Sequence, residues 1–138
     1  MKNYEVFEHT ADIGLRVRGK DLKDLFVNAG LAIFQISSRK QFTKNKIHTD
    51  IHIRQKADNT QDLFVNWLNE LLSLSQAKGV IFHGIKINKL EDNVLEAIAI
   101  GSDIANYKIN MEIKAATYHQ LNIKQDERGW QAEVILDV

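Results

Sequence analysis

The chain has 138 residues, a length at which a second hydrophobic core would be cramped, so residues 1–138 are read as a single domain. Eighteen Lys and Arg balance eighteen Asp and Glu, which removes the cation excess that drives non-specific nucleic-acid binding. Cysteine is absent, excluding disulfides, thiolate nucleophiles and cysteine-ligated zinc; proline is absent too, so turns must rest on Gly, Asn and Asp.

The start, Met1-Lys2-Asn3-Tyr4-Glu5, carries no apolar signal region, and no run approaches the ~20 apolar residues of a membrane span. The expectation is a cytoplasmic protein with no membrane partner.

Tyr4 to His9 reads as a short strand, interrupted by Thr10-Ala11-Asp12. Ile13, Leu15 and Val17 then alternate with Gly14, Arg16 and Arg18, the period of a half-buried strand. From Asp21 to Ser37 the period changes: Leu22, Leu25, Phe26, Ala29, Ile33 and Phe34 recur at helical spacing. Ile47, Thr49, Ile51 and Ile53 alternate with His48, Asp50, His52 and Arg54, a strand with one wet face. Ala57-Asp58-Asn59-Thr60 offers caps for a second helix, striped by Leu63, Phe64, Trp67, Leu68, Leu71 and Leu72 and closed by Lys78-Gly79.

The rest reads as strands. Val80 to Leu90 and Val94 to Gly101 form a hairpin over Glu91-Asp92-Asn93, and Ser102 to Asn106 is a polar loop. Ile109, Met111, Ile113, Ala115 and Thr117 alternate with polar neighbours as one further strand. Leu121 to Gln125 and Trp130 to Val138 make a last hairpin across Asp126-Glu127-Arg128-Gly129. The expected fold is α+β: two helices on a mostly antiparallel sheet, with a β-meander in the second half.

No nucleophile elbow, phosphate-binding glycine loop, dinucleotide fingerprint or helical zinc-protease motif is present, which weighs against a self-contained enzyme. His48 and His52 share a strand face but lie about 13 Å apart along an extended chain. Zinc ligands sit about 2 Å from the ion, so those two read as a solvated face. His83 falls in an apolar strand and fits a core or an edge position equally. His9 and His119 each end a predicted strand, where a histidine usually forms a hydrogen-bonding corner.

Asp12 stands at the irregular junction of two strands. On pattern alone an Asx-turn, with its side chain capping its own backbone, is the simpler account. Asp137 lies beside the carboxylate of Val138, so two oxygen groups end the chain together. If Asp12 lay alongside them, the three carboxylates would repel unless a cation joined them. Calcium suits such a set, accepting carboxylate, carbonyl and water oxygens at about 2.3–2.6 Å. The plain alternative is a hydrated, frayed terminus.

Four segments resemble one family. Glu8-His9-Thr10-Ala11-Asp12-Ile13-Gly14 looks like the archease N-terminal motif, and Asp62 to Leu72, reading DLFVNWLNELL, resembles that family's second helix. Glu112-Ile113-Lys114-Ala115-Ala116-Thr117-Tyr118-His119 matches its EIKA-x-TYH segment, and Val134 to Val138 resembles its V-x-x-D-hydrophobic ending. The segments fall in order and span essentially the whole chain; the first and third are specific.

The resemblance implies a non-enzymatic activator of RNA-splicing ligases of the RtcB type, which join RNA ends bearing a 2′,3′-cyclic phosphate or 3′-phosphate to a 5′-hydroxyl. It implies that the protein promotes guanylylation of the ligase, that GTP and manganese belong to the ligase, and that RNA is met only indirectly. It implies a divalent-cation site, usually calcium, on Asp12, Asp137 and the Val138 carbonyl or terminus. His9, Lys114, Tyr118 and His119 follow as second-tier or partner-facing residues; regular alternation would put Lys114 and Tyr118 on one face and His119 on the other. One departure is visible: archeases often carry a Gly-Glu pair and a longer basic loop before the EIKA segment, and Gly101 to Lys108 is short and lacks the glutamate. Two other readings stand beside this one. The first is an autonomous hydrolase on RNA ends or small phosphates, with His9 or His119 as acid or base; the second is a chaperone-like binding module.

Overall fold

A computed structural model describes residues 2–9, 11–41, 46 and 48–138. Its strands and helices run β1 (Tyr4–His9), β2 (Asp12–Gly19), α1 (Leu22–Ser37), β3 (Ser38–Lys40), β4 (His48–Lys56) and α2 (Thr60–Lys78). They continue with β5 (Val80–Glu91), β6 (Val94–Asp103), β7 (Tyr107–Ile109), β8 (Ala115–Ala116), β9 (Asn122–Asp126) and β10 (Gly129–Asp137). The α+β architecture expected from the sequence is the one observed, with every described strand pair antiparallel.

Both helices start where a short polar side chain can replace a missing backbone partner. Asp21 accepts from the Asp24 amide ahead of α1, and Asn59 accepts from the Asp62 amide ahead of α2, each at 2.8 Å. Gly79 ends α2 in the left-handed region at φ 65°, where a side chain would be strained. The helices meet through aromatic rings: Phe26 and Phe64 pack edge to face, and buried Trp67 donates its indole N–H to the Phe26 carbonyl.

Three sheets surround this core. The largest runs β1-β2-β10, with β8 and β9 sharing the far edge of β10. A second orders β4-β6-β5, and β3 pairs with β7 in a short two-stranded ribbon. The β5–β6 hairpin turns on Asp92 and Asn93, both at positive φ, as the Glu91-Asp92-Asn93 signal predicted.

Two sequence expectations need correction. The strand read through residues 108–117 is broken: only Tyr107–Ile109 and Ala115–Ala116 are extended partners. The two pieces serve different sheets, and the chain is diverted between them where the Asn110 and Met111 amides both donate to the Ser37 carbonyl. Ile109 and Met111, alternating as core residues should, are consequently exposed. The polar loop of 102–106 is shorter than expected, because β6 continues to Asp103 and Ile104–Asn106 forms a 3₁₀ turn. Thr10 and Ile47, read as part of a turn and a strand, lie outside the described residues. Among the described residues no helix is long and apolar enough to cross a membrane.

Candidate functional site

Three transverse rows cover one face of the β1-β2-β10 sheet. In the first, Arg16 of β2 donates to Glu5 of β1 at 2.7 Å and to Glu133 of β10 at 2.9 Å. The bond to Glu5, then that to Glu133, holds the guanidinium further toward its charged form, and the same contact holds Glu5 below its ordinary carboxylate value. The second row is Phe7, Gly14 and Ile135. A Cβ on Gly14 would stand 2.1 Å from the Phe7 ring, so the glycine is the space that lets Phe7 lie across the sheet. Arg16 in turn covers that ring at 5.1 Å from its centre.

The third row begins with His9 opposite Asp12. On the other side, β2 and β10 pair from Gly19 and Trp130 down to Ile13 and Leu136. That last pair is one residue short of Asp12 and Asp137, which therefore stand at neighbouring strand ends. Period-two alternation puts both on the face where Arg16 and Glu133 meet.

Second-tier residues divide among different contacts. The His9 and His119 rings pack edge to face at 5.3 Å between centres. His9 Nδ1 lies 4.0 Å from Asp12 Oδ2, too long for a hydrogen bond, and is buried without a hydrogen-bond partner among the described residues. The Lys114 amide donates to the Asp137 carbonyl at 2.8 Å, which leaves the Asp137 carboxylate as that residue's uncommitted oxygen group. Tyr118 is more than half exposed and turns the other way, donating its hydroxyl to Asp62 of α2; that bond raises its pKa above the usual value. So His9, Asp12 and His119 gather, Lys114 joins Asp137 through its backbone, and Tyr118 belongs to the helix.

The donor set fits a hard cation. Asp12 and Asp137 offer carboxylate oxygens, both reach solvent, and Val138, 41% exposed, ends the chain beside them. Calcium tolerates few protein oxygens completed by water. Among the described residues no group of three or more His, Cys, Asp or Glu is placed to hold a metal, so main-chain or terminal oxygens would have to complete the set.

The segment beneath this site is held by α2. The Asn69 carboxamide accepts from the Ala116 amide at 2.8 Å and donates to the Ala116 carbonyl at 3.1 Å. With Asp62 holding Tyr118, two residues of the helix motif clasp the Thr117-Tyr118-His119 stretch. Sequence reading missed Asn69 and Asp62 because both look like ordinary polar positions on a helix.

A model of the archease protein family (MTH1598/TM1083) matches residues 4–138. The chain belongs to the archease family. Relatives named protein archease from Methanosarcina barkeri and Pyrococcus furiosus are 33% and 31% identical, covering 99% and 100% of this chain and 97% and 100% of theirs. The solution structure of Methanobacterium thermoautotrophicum protein 1598 superposes with a TM-score of 0.72 at 28% identity, covering 100% of both chains. The archease from Thermotoga maritima, described as a possible chaperone, shares the fold at a TM-score of 0.66 and 24% identity over 97% of this chain and 96% of its own. Of the residues read from the sequence, His9, Asp12 and Asp137 lie at the ends of β1, β2 and β10.

Proposed function

We propose that this archease binds a divalent cation, calcium by the hardness of its donors, at the ends of β2 and β10, and that the surface so ordered engages an RNA ligase of the RtcB type and promotes its guanylylation. The observation that supports the proposal is the β2–β10 pairing, whose last pair, Leu136 with Ile13, brings the strand ends carrying Asp137 and Asp12 together from distant parts of the sequence. Bound there, a cation would neutralise the facing carboxylates and hold two strand ends together. Asp12, Asp137 and the Val138 oxygens would hold it; His9 and His119 close one flank of the site. The exposed Val138 sets an apolar side chain beside those carboxylates, a mixture suited to a protein partner. Equal numbers of acidic and basic residues favour a protein over RNA as the direct contact.

The test is a reconstituted guanylylation assay with an RtcB-type ligase, GTP and manganese, with and without this protein. Wild-type protein should accelerate guanylylation, while Asp12→Ala and Asp137→Ala should keep the native circular dichroism and lose the stimulation. Undiminished stimulation by both variants would remove the cation site from the mechanism. No stimulation by wild-type protein would remove the ligase.

A second reading, a hydrolase acting alone, draws on the contact of His9 with His119 beside Asp12, since an acid and a base must both lie within reach of one substrate. Turnover of RNA termini by the purified protein, lost in His119→Ala, would favour it over the activator.

A further inference from the structure

His48 and His83 are 35 residues apart in sequence, yet His48 Nδ1 and His83 Nε2 approach to 3.2 Å. Sheet order produces the contact. β4 and β5 flank the central strand β6, where Ser102 pairs with His48 on one side and Ile81 on the other. The β5–β6 register shifts between Phe82 and Gly84, so His83 is the extra residue of a bulge. Bulges re-aim side chains. Here the bulge brings His83 to His48 across the strand between them.

A hydrogen bond would account for the separation, but not fully for its surroundings. The same His48 Nδ1 also lies 3.3 Å from Ser102 Oγ, so one ring nitrogen faces two partners. A neutral imidazole nitrogen offers either one proton or one lone pair. Two nitrogens bound to one tetrahedral zinc at about 2.0–2.1 Å would stand about 3.3 Å apart. The observed spacing therefore also matches the span of a shared ion. Both rings are exposed, so an ion can enter from solvent, and the Ser102 hydroxyl is buried below them.

We propose that His48 and His83 form a surface site for a borderline divalent transition-metal ion of the zinc or nickel type. His48 Nδ1 and His83 Nε2 are its nitrogen ligands, and water fills the open positions. Nitrogen donors select this class over calcium, which takes oxygen. The site is thus chemically distinct from the carboxylate end of β2 and β10. Burial, the neighbouring His48 and the charge of Lys40 all hold His83 below its ordinary pKa. Lys40 also opposes a bound cation, so removing its charge should tighten binding.

The experiment is isothermal titration of tag-free, metal-stripped protein with zinc and with nickel, repeated on His48→Gln, His83→Gln and His52→Gln, the last an exposed histidine of β4 outside the pair. Circular dichroism confirms that each variant is folded. Wild-type protein and His52→Gln should bind zinc with the same affinity, while His48→Gln and His83→Gln should each lose at least about tenfold. Imidazole nitrogen shifts in NMR spectra should move for His48 and His83 on zinc addition. Absence of zinc binding, undiminished binding in His83→Gln, or an equal loss in His52→Gln would each overturn the site.

Discussion

Asn69 treats Ala116 as a neighbouring strand would, giving one hydrogen bond to its carbonyl and taking one from its amide. A helix side chain thereby finishes the edge of the two-residue strand β8, which has β10 on its other side. Short edges of this kind need cover, because their backbone groups are otherwise unpaired.

Asn69→Ala should therefore destabilise the fold by about 1–3 kcal/mol, the cost of leaving part-buried backbone groups unsatisfied. Asn69→Asp keeps the acceptor and loses the donor, so it should be harmed chiefly at the Ala116 carbonyl. Urea denaturation gives the stability change. Faster hydrogen exchange at Ala116, with α1 unaffected, would place the damage at β8.

Gly14→Ala should displace the Phe7 ring, since the new methyl would sit 2.1 Å from it. Overpacking of this kind costs about 1–3 kcal/mol. Shortening the ring in Phe7→Leu should recover much of that loss, giving a coupling between the sites in a double-mutant cycle. Independent effects of the two substitutions would mean that Phe7 does not occupy this space in solution.

Calcium at 100 times its dissociation constant should stabilise the wild-type protein by about 2.7 kcal/mol. Asp137→Asn removes one of the facing carboxylates and should abolish the thermal shift. His48→Gln should leave it unchanged, because that ring lies in the β4-β6-β5 sheet. Differential scanning fluorimetry with calcium and magnesium reads all three.

The raised pKa of Tyr118 has a definite sign. Its hydroxyl is bonded to the Asp62 carboxylate when protonated, so the folded state favours the neutral phenol. The associated stabilisation is present below the ordinary value of 10.0 and is lost as pH rises through the higher folded value. Asp62→Asn should bring the phenolate absorbance titration of Tyr118 back down toward that ordinary value. An unchanged titration would dissociate Tyr118 from α2.

Much of the fold was legible because its periods are local. Both helices, their Asp21 and Asn59 caps and the Asp92-Asn93 turn follow from spacing and side-chain chemistry within a few residues. The stretch from Lys108 to Thr117 misled for the same reason: alternation is preserved while the chain leaves β7 for β8, and nothing local marks the change of sheet. β3 was missed because its three residues follow α1 without a break.

The site was legible in part. Asp12 reads as a turn former on pattern alone and is singled out by the archease resemblance, while the pairing of the second strand with the last, which brings its strand end to that of Asp137, has no local signal. Asn69 with Ala116, Asp62 with Tyr118 and His48 with His83 are meetings across the fold. Spacing along the chain carries no trace of them.

The centre of the largest sheet is its last strand. β2 has β1 on one flank, but its other flank stays bare until residues 129–137 arrive. During synthesis an N-terminal hairpin must wait with an open edge for almost the entire chain to be made. A product cut short before Gly129 would keep that edge, an invitation to pair with another chain.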